Sequence, residues 1–438
     1  MTLTTPITVV RGRFLDIQKT VSQAQDIIDQ VRYIEDGVLI AKQGQIRWFG
    51  SWDDAQAHLP ANVEIQHYPE QLIIPGMIDT HIHFPQTEMV GAYGEQLLSW
   101  LNTYTFPTEI QFQDPSYAQK IAEFFIQELL KNGTTTALVF CTVHPESVDA
   151  LFEAAAQQQM RLIAGKVMMD RHAPEALCDT AESAYEDSKA LIGKWHGQGR
   201  ALYAITPRFA PTSTPEQLER AGQLKAEFPD VYVHTHLSEN KDEIAWVKDL
   251  FPEQKGYLDV YHHYGLTGNR SVFAHCVHLE DAEWQCMHET DSAIAFCPTS
   301  NLFLGSGLFP LKKTWQQQVK VGLGTDIGAG TSFSLLQTVN EAYKVQQLQG
   351  DKLSAFESLY HATLGGVKAL DLDNKLGNFN VGKEADFVVL NLKPTALQQL
   401  RQSRSKSIED SLFALFTMGD DRNIEATYIY GQKAYNQS

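Results

Sequence analysis

Leu72-Ile73-Ile74-Pro75-Gly76-Met77-Ile78-Asp79-Thr80-His81-Ile82-His83 is an apolar run that ends in two histidines one residue apart. Alternate side chains of a strand share a face, so the imidazoles of His81 and His83 can converge on one ion at the end of such a strand. Taken alone the pair also fits two ordinary core or surface histidines. The rest of the chain decides between these readings.

From about residue 72 to residue 328 the sequence repeats one grammar: a short β-rich run, a polar turn and a helical stretch. Eight strands are expected, over 72–83, 134–140, 161–169, 201–208, 231–236, 271–275, 293–297 and 319–325. Amphipathic helices fall between them, such as 117–131, which stops at Asn132-Gly133, and 242–250, whose first turn is acidic. Strand and helix in alternation predict a parallel sheet, and eight units predict a (β/α)8 TIM barrel with its reactive groups at the C-terminal strand ends. The flanks alternate differently. Segments 38–41 and 45–49 around a Lys-Gln-Gly turn, and 386–390 and 426–430 in the tail, read as short half-buried strands. Both ends are therefore expected to meet in one small β-sandwich domain, with 1–68 and 379–438 as its parts and 69–378 as the barrel. Two helices, 335–348 and 355–370, separate the eighth strand from the tail.

The 438 residues suffice for a large barrel and a smaller domain. A formal charge of −18 disfavours a phosphate-tracking surface and fits a small neutral or cationic substrate better. The five cysteines contain no Cys-x-x-Cys pair, and their odd number makes a poor disulfide framework. Reduced cytoplasmic thiols follow. No run approaches the ~18 apolar residues of a membrane span, and residues 1–16 lack the basic start and apolar core of an export signal.

Read in order, the strand ends carry His81 and His83, Arg208, His236 with Glu239, His275, and Asp326. Histidines and acids recur there although smaller or apolar residues would pack at less cost, so the set predicts a single-metal site. Asp326 could instead cap the next helix, but Ser332 and Ser334 are better placed for that. His234 lies one layer deeper on the face of His236 and is assigned to structure. His144, His262, His263 and His278 read as surface or loop residues. Lys166 falls short of its strand end, which argues against a carboxylated lysine bridging two metals. Cys297, before Pro298, reads as a buried thiol rather than a nucleophile. Trp100, Tyr104 and Phe106 lie in the long connection after the first strand, where packing is favoured over a stacking or lid role.

With these residues placed, the chain resembles the amidohydrolase superfamily. The resemblance rests on residues 75–86, on Thr206-Pro207-Arg208-Phe209-Ala210-Pro211-Thr212-Ser213, on His236-Leu237-Ser238-Glu239-Asn240, on Ala274-His275-Cys276, on Phe296-Cys297-Pro298-Thr299-Ser300-Asn301-Leu302 and on Gly324-Thr325-Asp326. Gly382-Lys383-Glu384-Ala385-Asp386 looks like the superfamily's returning β domain. Pro85-Gln86 and Arg208-Phe209 point to its guanine-specific branch. The resemblance implies that His81, His83, His236 and Asp326 hold one zinc, with iron as the alternative metal. It implies that Glu239 shuttles protons, that His275 orients or polarises water, and that Gln86, Arg208 and Phe209 bind the purine beside His236, Glu239 and Asp326. The activity implied is hydrolysis of guanine to xanthine and ammonia in purine catabolism, with hydroxide generated at the ion attacking C2. A cytoplasmic homodimer is implied, without nucleic-acid or membrane partners. An aminohydrolase acting on a related purine, pterin or triazine is the nearest alternative, and a non-catalytic barrel subunit the more distant one. The cytidine-deaminase type of zinc site is disfavoured, since its Pro-Cys-x-x-Cys signature is absent.

Overall fold

In the computed structural model, which describes residues 7–93 and 97–437, the chain opens with β1 (Ile7–Ile17), β2 (Val31–Lys42), β3 (Gln45–Ser51) and β4 (Ile65–Pro75). Gln43 and Gly44 join β2 to β3 with φ of 54° and 74°, a two-residue turn whose positive dihedrals match the twist of a hairpin.

The expected strand 72–83 is two strands in two sheets. β4 ends at Pro75, and β5 (Met77–His83) starts the barrel. The cause is Gly76, where a β-carbon would lie 2.0 Å from the Thr135 hydroxyl oxygen, so that only glycine lets the backbone pass between the sheets here. β4 also runs through the boundary expected at residue 68, since its first residue is Ile65.

The barrel continues with β6 (Thr134–Phe140), β7 (Arg161–Gly165), the two-residue β8 (Val167–Met168), β9 (Ala201–Pro207), β10 (Tyr232–Leu237), β11 (Ser271–His275), β12 (Ala293–Phe296) and β13 (Lys320–Leu323). Among the described residues these strands are parallel in the order β5-β6-β7-β9-β10-β11-β12-β13, with β8 paired to β9. Closure of β13 on β5 uses four bonds among the described residues: the Thr80 hydroxyl donates to the Leu323 carbonyl (3.0 Å), the Thr325 N–H and hydroxyl to Asp79 (3.1 and 2.5 Å) and the Asp326 N–H to the His81 carbonyl (2.9 Å). Every residue of β5 and β6 is buried, as expected for barrel strands covered on both faces. The third expected strand, 161–169, breaks at Lys166, whose ammonium pairs with Asp179 at 2.5 Å.

β14 (Phe387–Leu390), β15 (Ile424–Ile429) and β16 (Gln432–Asn436) return to the first sheet. Among the described residues one seven-stranded mixed sheet results, ordered β16-β15-β14-β4-β1-β2-β3, with Phe387 opposite Pro75 where the two ends of the chain meet. Its own core packs Phe14, Phe379, Phe387 and Tyr428. The ion pairs Arg161–Glu384 (2.5 Å), Arg200–Glu384 (2.6 Å) and Arg200–Asp386 (2.5 Å) join it to the barrel.

The helix expected over 117–131 is Pro115–Lys131, capped by Asp114, and that over 335–348 is Leu335–Leu348. The helix expected over 355–370 divides at Thr363 (φ −129°, ψ −95°) into Ala355–Ala362 and Leu364–Ala369. Gly366 then comes down on the barrel, its α-carbon 3.2 Å from where a Gly322 β-carbon would stand. Among the described residues no helix is long and apolar enough to cross a membrane.

Candidate active site

β5 ends in His81 and His83, β10 carries His236, β11 ends at His275, and Asp326 lies three residues beyond β13, so all five groups gather at the C-terminal mouth. The backbone turns sharply there. Ser238, His275, Cys276 and Asp326 adopt positive φ of 50°, 70°, 52° and 52°, a conformation that costs a non-glycine residue of order 1–3 kcal/mol and clusters at functional sites.

Three distances define the centre. His81 Nε2 and His83 Nε2 lie 3.2 and 3.3 Å from Asp326 Oδ1, and His83 Nε2 lies 3.2 Å from His236 Nε2. Ligand atoms held tetrahedrally at bond lengths of 2.0–2.1 Å stand about 3.3–3.4 Å apart, so these side chains are already spaced for one ion. Their chemistry agrees. The His236 Nδ1 proton goes to the Arg208 carbonyl (2.6 Å), which leaves Nε2 with its lone pair, and His81 Nδ1 engages His234 Nε2 at 2.8 Å. Among the described residues buried His81 Nε2 has no hydrogen-bond partner. Burial holds His81 and His236 below the usual imidazole range and His83 down at about 3, so all three stay neutral. Burial alone would raise the Asp326 carboxyl, but His81, His83 and His275 hold it well below its ordinary value. His81, His83 and His236 form one group that could hold a metal ion, and His81, His275 and Asp326 form a second that shares His81 with it.

Beside it, the Glu239 carboxyl is 2 % exposed and accepts a hydrogen bond from the Ser306 hydroxyl at 3.0 Å. Burial and the Asp326 charge push it up to about 8. His275 donates Nδ1–H to Asn301 Oδ1 (2.9 Å) and turns Nε2 toward Glu239 (3.5 Å) and Asp326 (3.8 Å).

These groups open into a cleft of about 430 Å³, walled by Gln86, Trp100, Leu101, Arg208, Phe209 and Leu304. Glu109, fully buried, accepts from Arg208 Nη1 with both oxygens (2.9 and 2.8 Å) and from the Gln86 amide at 3.2 Å. The Phe106 ring lies 5.6 Å from the guanidinium. On the other side of Gln86, a β-carbon at Gly328 (φ 122°) would sit 1.9 Å from its amide oxygen.

The structure thus brings together Gln86, His81, His83, Arg208, Phe209, His236, Glu239, His275 and Asp326. Trp100 and Phe106 belong to a buried cluster that also contains Phe209, and Trp100 faces the cleft, so packing and pocket wall are one function. Residues 94–96 of that connection lie outside the described residues. His278 lies in the turn after β11, as expected of a loop residue, and its Nε2 engages the carbonyl of Ser306, the serine that holds Glu239, at 2.8 Å. Ser334 takes the cap position of Leu335–Leu348, yet its side chain makes no capping bond, and the Ser332 hydroxyl accepts from the Ser334 N–H instead (3.1 Å). His234 and Cys297 are fully buried, as read from the sequence, and burial drives the thiol well above its usual range. Glu109, Ser306 and Glu243 had no strand-end position to reveal them. Asn301 stood inside a motif, but its contact with His275 had no sequence signal of its own.

Residues 72–434 match the family model described as the amidohydrolase family. The guanine deaminase of Escherichia coli strain K12 is 62% identical over 429 residues, 98% of each chain. The solved structure of E. coli guanine deaminase matches with a TM-score of 0.96 at 60% identity, covering 99% of this chain and 100% of that one. The structure of guanine deaminase from C. acetobutylicum, with guanine bound in its active site, matches with a TM-score of 0.88 at 31% identity, covering 98% and 100%. With histidines and an aspartate gathered at the mouth of a parallel barrel, the chain belongs to the amidohydrolase family, in the group that the guanine deaminases form.

Proposed function

We propose that this chain is a zinc-dependent hydrolase that converts guanine and water to xanthine and ammonia, a step of purine catabolism. The observation that carries this reading is a buried Arg208–Glu109–Gln86 cluster facing the same cleft as Glu239 and the histidine–aspartate group. His81, His83, His236 and Asp326 would hold the zinc. Bound there, zinc lowers the pKa of water from 15.7 toward about 7 and supplies a nucleophile at neutral pH.

The remaining work falls to the side chains. Arg208 and Gln86 would meet the O6 edge of guanine, with Glu109 fixing both. A carbonyl oxygen can accept from the guanidinium, whereas the amino group of adenine at that position also donates and leaves a buried donor unpaired. Phe209 and Trp100 would bound the purine ring. Attack forms a C2–O bond and must end with the C2–N bond to the amino group broken. Glu239, raised to about 8 and so protonated at neutral pH, can give its proton to the ring nitrogen, where it stays. It can then take the proton of the new C2 hydroxyl and pass it to the amino group, which departs as ammonia while C2 becomes a carbonyl; the next water restores the Glu239 proton. His275, its Nδ1–H tied to Asn301, keeps Nε2 as an acceptor that orients the attacking water.

A homodimer in the cytoplasm belongs to the same reading. Support for the dimer is the family resemblance together with exposed Leu397 and Leu400 on one short helix, and five free thiols support the reducing compartment. Ammonia release from guanine, adenine, cytosine and 8-oxoguanine by metal-replete protein tests the function. Guanine should be by far the fastest, and no ammonia from guanine would overturn it.

A further inference from the structure

The turn that presents Glu239 is held from behind by a second carboxyl. β10 ends at Leu237, Ser238 turns with φ of 50°, and the N–H groups of Glu239 and Asn240 then both point at Glu243 Oε2 (2.9 and 3.1 Å). The other oxygen, Oε1, accepts from the Tyr257 hydroxyl at 2.8 Å. Glu243 is fully buried and Tyr257 is 3 % exposed. A capping box for the helix Lys241–Leu250 explains only the bond from Asn240, its N-cap residue. It requires neither burial, nor the tyrosine, nor a bond to the backbone of the residue that faces the metal-binding group.

We propose that Glu243 is a positioning residue for Glu239, fixing through the N–H groups of residues 239 and 240 the turn from which the Glu239 carboxyl reaches the reacting atoms. The inference rests on the reading of Glu239 as proton shuttle. Glu243 acts on the backbone, Tyr257 holds Glu243 in place, and Ser306 fixes the Glu239 carboxyl at its outer end. A small loss of alignment at such a group costs rate rather than affinity, on the order of 10²-fold for a displacement of about 1 Å.

The test is a set of steady-state measurements on metal-replete full-length protein, with bound metal and circular dichroism recorded for each variant. Glu243→Ala should lower kcat for guanine about 10- to 100-fold while KM stays within about threefold and metal content is unchanged. Glu243→Gln, whose amide oxygen can accept the same two N–H groups, should recover kcat to within about fivefold of wild type. In a Glu239→Gln background, Glu243→Ala should cost less than about a further twofold, because its effect runs through residue 239. If Glu243→Ala fails to fold, Tyr257→Phe decides instead, with a kcat loss of about two- to fivefold at constant KM supporting the proposal and no loss overturning it. An active wild type with an unchanged Glu243→Ala kcat, or an equal loss in both backgrounds, overturns the positioning role alone. A wild type without guanine turnover overturns the deaminase reading and this inference with it.

Discussion

Two carboxyls near the metal-binding group are driven in opposite directions: burial and Asp326 push Glu239 up to about 8, while the histidines hold Asp326 well below its usual range despite its burial. Such a separation fits the proposed roles, proton transfer for Glu239 and permanent charge for Asp326. Glu239→Gln should therefore retain metal by elemental analysis and lose about 10²- to 10⁴-fold in turnover. Because the Glu239 pKa is raised, its proton is kept through neutral pH and lost as pH rises through about 8. Wild-type kcat should fall on the alkaline side, with Asp326, His275 and Ser306 as the surrounding groups, and the residual activity of Glu239→Gln should lack that limb. Glu109 gives a different test. Removing one partner of a buried pair costs about 3–5 kcal/mol, so Glu109→Ala should lower stability by roughly this amount and reduce the guanine-to-adenine ratio of kcat/KM while metal content holds. His81, His83, His236 and Asp326 were legible in the sequence because strand periodicity puts side chains two apart on one face and strand ends in one rim. Glu109 was not. It reaches Arg208 across 99 positions from a connection with no strand or long-helix register, and no spacing encodes that meeting.

Individual elements show where close approach overrides pattern. The run 72–83 reads as one strand because both halves are apolar, yet Gly76 divides it between two sheets, and the reason is a three-dimensional contact with Thr135. The break of the 355–370 helix at Thr363 is likewise set by packing of Gly366 on the barrel, to which a hydrophobic period is blind. The turn after β13 carries a functional demand of the same kind. Gly328→Ala would drive a methyl group into the Gln86 amide and oppose a φ of 122°, so KM for guanine should rise by about tenfold or more, the effect of losing one substrate-facing hydrogen bond. Metal content should not change. A KM equal to wild type, measured by initial rates, would remove Gln86 from the substrate edge.

Across the whole molecule the alternation of strands and helices made the barrel readable, since parallel strands must be joined by crossovers and eight such units close. Less readable was how the tail returns. Arg161 and Arg200, both in the barrel, pair with Glu384 and Asp386 just before β14, so the motif 382–386 docks the returning sheet by charge as well as by strand pairing. At the site, the Arg208 guanidinium that lines the cleft is already paired with Glu109. The central claim is that one ion at His81, His83, His236 and Asp326 makes this barrel a guanine-hydrolysing enzyme. Titrating metal-stripped protein with zinc while recording xanthine formation from guanine tests it most directly. Turnover should rise linearly from near zero and level off at one equivalent per chain. Full turnover without metal, a break at two equivalents, or no xanthine at any metal concentration would contradict the account.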